Sequence, residues 1–264
     1  MRWREELLVQ WALRTCELVL RLRTHFNSSE CARHLAAMPV RYNRFAMLLY
    51  YITDRKAFPG TDAEQHATLL RRITEASRAG VDYIQLREKD LDPTDLELLA
   101  RETLHVIRES TAATKLLING AIEVALAVGA DGVHLPSNSL SVPVIRDRWW
   151  QQAQQAPMIA VSTHSIGDVA QADANGASFA VLAPIFEKVA TGASGIGLEV
   201  LADACASSRI PVLALGGVTL GNARLCLEAG ASGIAGIRLF QEGSVSRSVD
   251  ALRWLARHVN RPEN

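Results

Sequence analysis

From Met47 onward the chain alternates short apolar runs with helical stretches, eight times over. The runs are Met47–Thr53, Tyr83–Arg87, Lys115–Asn119, Gly132–Leu135, Met158–Ser162, Phe179–Leu182, Val212–Leu215 and Gly233–Ile237. Helical patterns cover Glu64–Ala79, Thr94–Ser110, Ile122–Val128, Ser141–Gln155, Ile166–Asn175, Leu198–Ser207, Leu220–Ala229 and Val249–Val259. A strand buried on both faces reads as an unbroken apolar run, and strands separated by helices pair in parallel. Eight such units predict an α/β fold, a closed (β/α)8 TIM barrel; an open doubly wound sheet is the competing arrangement. The length of 264 residues suits a barrel of roughly 250. Gly80, Gly129, Gly176 and Gly230 each stand between a helical stretch and the next strand, where a left-handed residue closes a helix. Their role is structural.

Composition narrows the partners. Lysine plus arginine equals aspartate plus glutamate, 28 each, so neither nucleic acid nor an acidic partner is expected. No apolar run approaches the roughly 20 residues of a membrane span. Cys16, Cys31, Cys205 and Cys226 are scattered and form no CxxC pair. They fit a reduced, cytoplasmic protein with neither a disulfide frame nor a zinc site. The pattern leaves room for a homo-oligomer.

Residues 1–44 read differently from 45–264, the barrel domain. They hold eight arginines, four acids and no lysine. Leu7, Leu8, Trp11, Leu18, Val19 and Leu22 recur at helical spacing, so an amphipathic helix over about Glu5–Arg23 is expected. Three readings compete for this extension: an added helix packed on the barrel or another subunit, a targeting segment, or upstream sequence preceding a true start at Met47.

In a barrel, chemistry lies on the loops after the strands. The second run ends in Gln85-Leu86-Arg87-Glu88-Lys89; alternation puts Gln85 and Arg87 on the inward side if Ile84 and Leu86 face the helices. The third ends in Asn119-Gly120, and the fourth in His134-Leu135-Pro136-Ser137-Asn138-Ser139. The fifth ends in Ser162-Thr163-His164 and the sixth in Pro184-Ile185-Phe186-Glu187. Gly216-Gly217 follow the seventh, and Gly236-Ile237-Arg238 close the eighth. Glycines after strands seven and eight admit a phosphate to backbone amides, and Arg238 adds a charge-assisted contact; two tight turns with a surface arginine are the bland alternative. His164 on the rim is a candidate proton carrier, whereas His134, at the end of an apolar run, reads as a satisfied core or rim histidine.

Together these segments resemble the thiamine-phosphate synthase and thiazole tautomerase superfamily from about Leu49 to Phe240. The resemblance is carried by Tyr50-Tyr51-Ile52-Thr53-Asp54-Arg55, Tyr83 to Lys89, Ala130 to Leu135, and Leu215-Gly216-Gly217-Val218. It implies a small-molecule thiazole phosphate as ligand. Synthases of this superfamily couple hydroxymethylpyrimidine diphosphate to thiazole phosphate with Mg²⁺. They hold metal and diphosphate through an Asn-Asp pair after strand three, an aspartate in Gly-Gln-x-Asp after strand four, and Thr-x-Thr-Lys after strand six. Here the two aspartate positions are Gly120 and Ser139, and the third segment reads Phe186 to Thr191. Gln85, Arg87, Lys89, Asn119 and Ser162 match the synthase's pyrimidine-side residues.

The tautomerase branch shares Asn119-Gly120, Leu135-Pro136-Ser137-x-Ser139, Ser162-x-His164-Ser165 and Phe186-Glu187. The resemblance therefore implies an isomerase, a thiazole tautomerase. His164 would shuttle a proton to aromatise a carboxylated dihydrothiazole phosphate without metal or other cofactor. Ser137 and Glu187 would join the substrate site, and Gly216, Gly217, Gly236, Ile237 and Arg238 the phosphate site. A synthase using Mg²⁺, and a thiazole-phosphate-binding regulatory protein without catalysis, are the alternatives.

Overall fold

The computed structural model describes residues 47–110, 113–137, 139–187 and 194–259. The expected N-terminal extension and its boundary with the barrel lie outside them. Eight strands are present: β1 (Leu48–Ile52), β2 (Tyr83–Leu86), β3 (Lys115–Asn119), β4 (Gly132–Leu135), β5 (Met158–Thr163), β6 (Phe179–Leu182), β7 (Val212–Ala214) and β8 (Gly233–Gly236). They close in sequence order into a parallel barrel, with β8 returning to β1. The open-sheet alternative is therefore excluded.

Outside the barrel lie α1 (Asp62–Ala79), α2 (Pro93–Glu109), α3 (Ile122–Val128), α4 (Val142–Trp150), α5 (Ile166–Ala174), α6 (Leu198–Ser207), α7 (Ala223–Glu228), α8 (Arg238–Gln241) and α9 (Val245–Val259). α9 starts four residues earlier than expected, and two helices are shorter than expected for visible reasons. α4 stops at Trp150 rather than Gln155, because the chain folds back and the Trp149 indole N–H donates to Gln155 O at 3.0 Å. α7 begins at Ala223 rather than Leu220, because the Asn222 side chain accepts from Thr219 N and donates to Gly217 O, holding the preceding turn. Among the described residues no helix is long and apolar enough to cross a membrane.

Side-chain parity divides the apolar residues into two cores. On β1, Leu49 and Tyr51 pack outward against the helices, while Leu48, Tyr50 and Ile52 face the barrel interior. The interior is a plug of Tyr50, Tyr83, Leu117, Ala160, Phe179, Val181, Leu213 and Ala235, among others. Its centre is aromatic. Phe179 stands edge-on to Tyr50 with centroids 5.3 Å apart, and Tyr83 lies 5.0 Å from Phe179. The edge-to-face contact suits the ring quadrupoles.

The first and last units are stapled. Asp54 N donates to Gln241 Oε1 at 3.0 Å, and Gln241 Nε2 returns a bond to Asp54 O at 2.9 Å. At the opposite end Arg253 of α9 donates to Asp82 Oδ2 at 2.8 Å, to Gly80 O and to Met47 O.

Above the plug sits a buried imidazole, His134 on β4, 3% exposed. Burial, and then the positive charge of Arg87, push its pKa down from 6.5 to about 3. In the unfolded chain the same group protonates near its ordinary value. The unfolded state therefore binds the extra proton between these two limits, and stability falls as pH drops through that window. Glu88, raised by burial, acts with the opposite sign where it titrates, because the folded state takes its proton first.

Two expectations follow from this interior. Phe179→Ala leaves a cavity between two tyrosines and lowers unfolding free energy by about 3–5 kcal/mol, measured by denaturant titration. Urea titrations across acidic pH should give wild type a slope of up to about 1.4 kcal/mol per pH unit in the His134 window, and His134→Gln a shallower one. Equal slopes would mean that the folded protein already carries the His134 proton.

Candidate active site

Parity also selects what faces the mouth. Ile84 and Leu86 pack in the outer core and Tyr83 in the inner one, so Gln85 takes the inward side of β2, and Arg87 follows the strand's last residue. Gln85 is 1% exposed, and its Nε2 donates to Asn119 Oδ1 at 3.0 Å. Asn119 is in register with His134 on the next strand. His134 in turn lies between two hydroxyls, Tyr50 Oη at 3.1 Å and Ser162 Oγ at 2.7 Å. The ends of β2, β3, β4 and β5 thus present one rim carrying Gln85, Asn119, His134 and Ser162. Arg87 stands close enough for its charge to act on His134.

A buried network fixes the backbone of Arg87. Its N–H donates to Thr53 Oγ1 at 2.9 Å, and that hydroxyl donates to Glu88 Oε1 at 2.5 Å. Glu88 Oε2 accepts the Arg55 N–H at 2.9 Å, and the Arg55 guanidinium grips both oxygens of Asp90, Nη2 to Oδ2 at 2.8 Å. Burial raises the Glu88 pKa, while Thr53 and Arg55 pull it down. Arg55 and Glu88 are consumed internally. Arg87 and Lys89 are not, for neither has an ion-pair partner among the described residues.

His164 is exposed, just past β5. Its Nδ1 donates to Ala183 O at 2.8 Å, and its backbone N–H donates to Asp168 Oδ2 at 2.9 Å. With Nδ1–H engaged on a carbonyl, which has only acceptor capacity, Nε2 of the neutral ring is left as a lone pair.

Loops six and seven meet directly. Gly216 and Gly217 have φ of +93° and +66°. A Cβ on Gly216 would lie 2.7 Å from Pro184 Cα, and one on Gly217 2.7 Å from Phe186 Cβ. Ile185 N donates to Leu215 O at 2.9 Å and Phe186 N to Gly216 O at 3.0 Å. Both glycines are therefore required by conformation and close approach before any ligand is considered. Gly236 is buried at the end of β8, Ile237 packs on the inner core, and Arg238 is exposed at the start of α8. Ser137 and Glu187 are exposed on loops four and six, and among the described residues neither is hydrogen-bonded to the rim.

Magnesium, which the synthase resemblance implies, requires hard oxygen ligands, usually carboxylates. The two matched positions offer none. Gly120 has no side chain, and the exposed Ser139 donates its hydroxyl to Leu140 O at 3.3 Å. Among the described residues no group of three or more His, Cys, Asp or Glu could hold a metal. The described donor set does not fit the ion.

Tyr50, Thr53, Glu88 and the bonds of His134 were not singled out from the sequence as site residues. Parity could have found two of them. Tyr50, two residues from Leu48, and His134, two from Gly132, share the inward face, and the eight-strand order places β1 and β4 across one interior.

The comparisons with known proteins bear on the whole barrel. Residues 49–240 match the family model for thiamine monophosphate synthase. A putative thiamine-phosphate synthase 2 of Aquifex aeolicus is 38% identical over 195 residues, covering 74% of this chain and 97% of that protein. A thiamine-phosphate synthase of Clostridium acetobutylicum is 36% identical over 188 residues, covering 71% and 83%. The solved thiamine phosphate pyrophosphorylase of Pyrococcus furiosus superimposes with a TM-score of 0.68 at 29% identity, over 83% of this chain and 99% of that one. These relatives overturn the expected tautomerase, and with it the isomerase class. That expectation weighed a few loop positions after strands three to six, whereas the family likeness spans residues 49–240. The chain belongs to the thiamine-phosphate synthase family.

Proposed function

We propose that this barrel is a transferase that joins hydroxymethylpyrimidine diphosphate to thiazole phosphate. The observation that carries the reading is the gathering of Gln85, Asn119 and Ser162 on one rim beside Arg87, in a chain whose relatives bear the synthase name. The reaction forms a C–N bond between the pyrimidine methylene carbon and the thiazole ring nitrogen. The C–O bond to the diphosphate breaks, and its electron pair leaves with that group. The thiazole nitrogen becomes cationic, and the departing diphosphate takes up one proton from solvent at neutral pH.

Each residue then has a defined task. The Gln85 and Asn119 amides and the Ser162 hydroxyl hydrogen-bond the edge of a flat pyrimidine. Arg87 and Lys89 supply positive charge to the diphosphate, where charge builds as the C–O bond breaks. Gly216, Gly217, Gly236, Ile237 and Arg238 receive the thiazole phosphate. His164, with Nε2 open, and Ser137 and Glu187 border the same mouth and orient the thiazole. No step is assigned to a metal, since the described donors do not fit one.

The experiment is direct. Full-length protein with both substrates should form thiamine phosphate; none at high enzyme concentration, with or without added Mg²⁺, overturns the reading. Arg87→Gln should lower kcat/KM by about a hundredfold, the scale of losing one preorganised charge contact at a developing anion. A variant as fast as wild type would remove Arg87 from the diphosphate.

A further inference from the structure

The column Tyr50–His134–Ser162 has a proton order that geometry dictates. Tyr50 Oη and His134 Nδ1 are 3.1 Å apart, and His134 Nε2 and Ser162 Oγ are 2.7 Å apart. Tyr50 is fully buried, and among the described residues its hydroxyl has no other hydrogen-bond partner. Two arrangements satisfy these distances. If Nδ1 carried the proton, the imidazole would donate to the phenol oxygen and the phenol proton would have no acceptor. A buried donor left unsatisfied costs about 1–3 kcal/mol. If the phenol donates to Nδ1 instead, every proton has a place. The second tautomer carries its proton on Nε2 and donates it to Ser162 Oγ.

The consequence reaches the rim. Ser162 Oγ has received a hydrogen bond from below, and its own O–H has no acceptor among the described residues. Ser162 is half-buried at the mouth, so that proton is directed at whatever lies there. The neighbouring pair is polarised too. Gln85 Nε2 donates to Asn119 Oδ1, which leaves Asn119 Nδ2 as a donor and Gln85 Oε1 as an acceptor. The rim therefore offers donors from Ser162 and Asn119, flanked by one acceptor from Gln85.

We propose that Tyr50 and His134 are positioning residues that hold the Ser162 hydroxyl as a one-way hydrogen-bond donor, so that the subsite above it selects a heteroaromatic ring presenting an unprotonated nitrogen. The ligand half of this proposal rests on the transferase reading; the proton order does not. His134 stays neutral in this role because it is sealed from water and lies within reach of the charge of Arg87. A protonated ring would donate to the phenol oxygen as well and leave the phenol proton without an acceptor.

Two measurements test it. Long-range proton–nitrogen NMR correlations on histidine-labelled, ligand-free protein read the tautomer directly. The expected signature is Nε2–H at His134, unchanged through neutral pH. An Nδ1–H signature, or a mixture, overturns the proposal without reference to any substrate. The second measurement is a double-mutant cycle with Tyr50→Phe and Ser162→Ala, read as affinity for hydroxymethylpyrimidine. Each single variant should weaken binding by about threefold to tenfold, the worth of one hydrogen bond. The double variant should be no weaker than Ser162→Ala alone, because the phenol acts only through the serine.

A merely structural role for Tyr50 would also weaken thiazole phosphate binding, which is expected to stay at the wild-type value. Wild type should prefer the pyrimidine over an analogue whose ring nitrogen is replaced by C–H, and Tyr50→Phe should lose that preference. Additive losses, or an undiminished preference in Tyr50→Phe, overturn the relay. Nε2–H at His134 with no binding of the pyrimidine would overturn the ligand half together with the transferase reading, while leaving the proton order established.

Discussion

The mouth of this barrel depends on what fills the cylinder beneath it. Parallel strands with alternating side chains put every second residue inside, and eight of them create a space that must be packed to solid density. Here Phe179 meets Tyr50 edge to face and Tyr83 at a tilt, and fills the middle. Aromatic packing anchors the Tyr50 ring, so its hydroxyl points at a fixed spot one layer higher. His134 occupies that spot and passes the orientation on to Ser162. The polar rim is thus an extension of the hydrophobic core. Its geometry is set by ring contacts several residues away from any ligand.

Much of the architecture could be read from the chain. Apolar runs mark the strands because both their faces are buried, and polar residues such as Gln85 and His134 interrupt them only singly. Loop termini were less legible. The single-turn Arg55–Ala57 and Arg238–Gln241 helices are too short to show a period, and α4 ends early on an indole hydrogen bond that no local pattern announces. Among site residues, Gln85 and Arg87 were placed inward by parity alone. His134 was set aside as a satisfied histidine. It is satisfied, by Ser162 on the neighbouring β5 and by Tyr50 on β1, which only ring closure brings across the interior. Pairwise contacts between distant strands are what a single sequence conceals.

The choice of branch shows a different limit. Asn119-Gly120, Leu135 to Ser139 and His164 favoured an isomerase, and the relatives overturned that. The same glycine and serine are the reason the described donors do not suit magnesium. Loop residues are exposed, cheap to exchange and shared between branches, so a handful of them is a poor vote on reaction class. Gly216 and Gly217 carry a related lesson. They were read as a phosphate cradle, yet loop six occupies the volume any side chain there would need. Whatever anion binds beside them, the first partner of those glycines is protein.

The seam between the first and last units bears on how the protein is made. β1 finds its second neighbour only in β8, and Asp54 finds Gln241 187 residues further on. During synthesis the growing barrel therefore exposes an open strand edge until β8 has left the ribosome. Open edges invite pairing with other chains. The reciprocal amide clasp works late, as a latch that turns a curled sheet into a ring, and a truncated product would keep the sticky edge that the complete one hides.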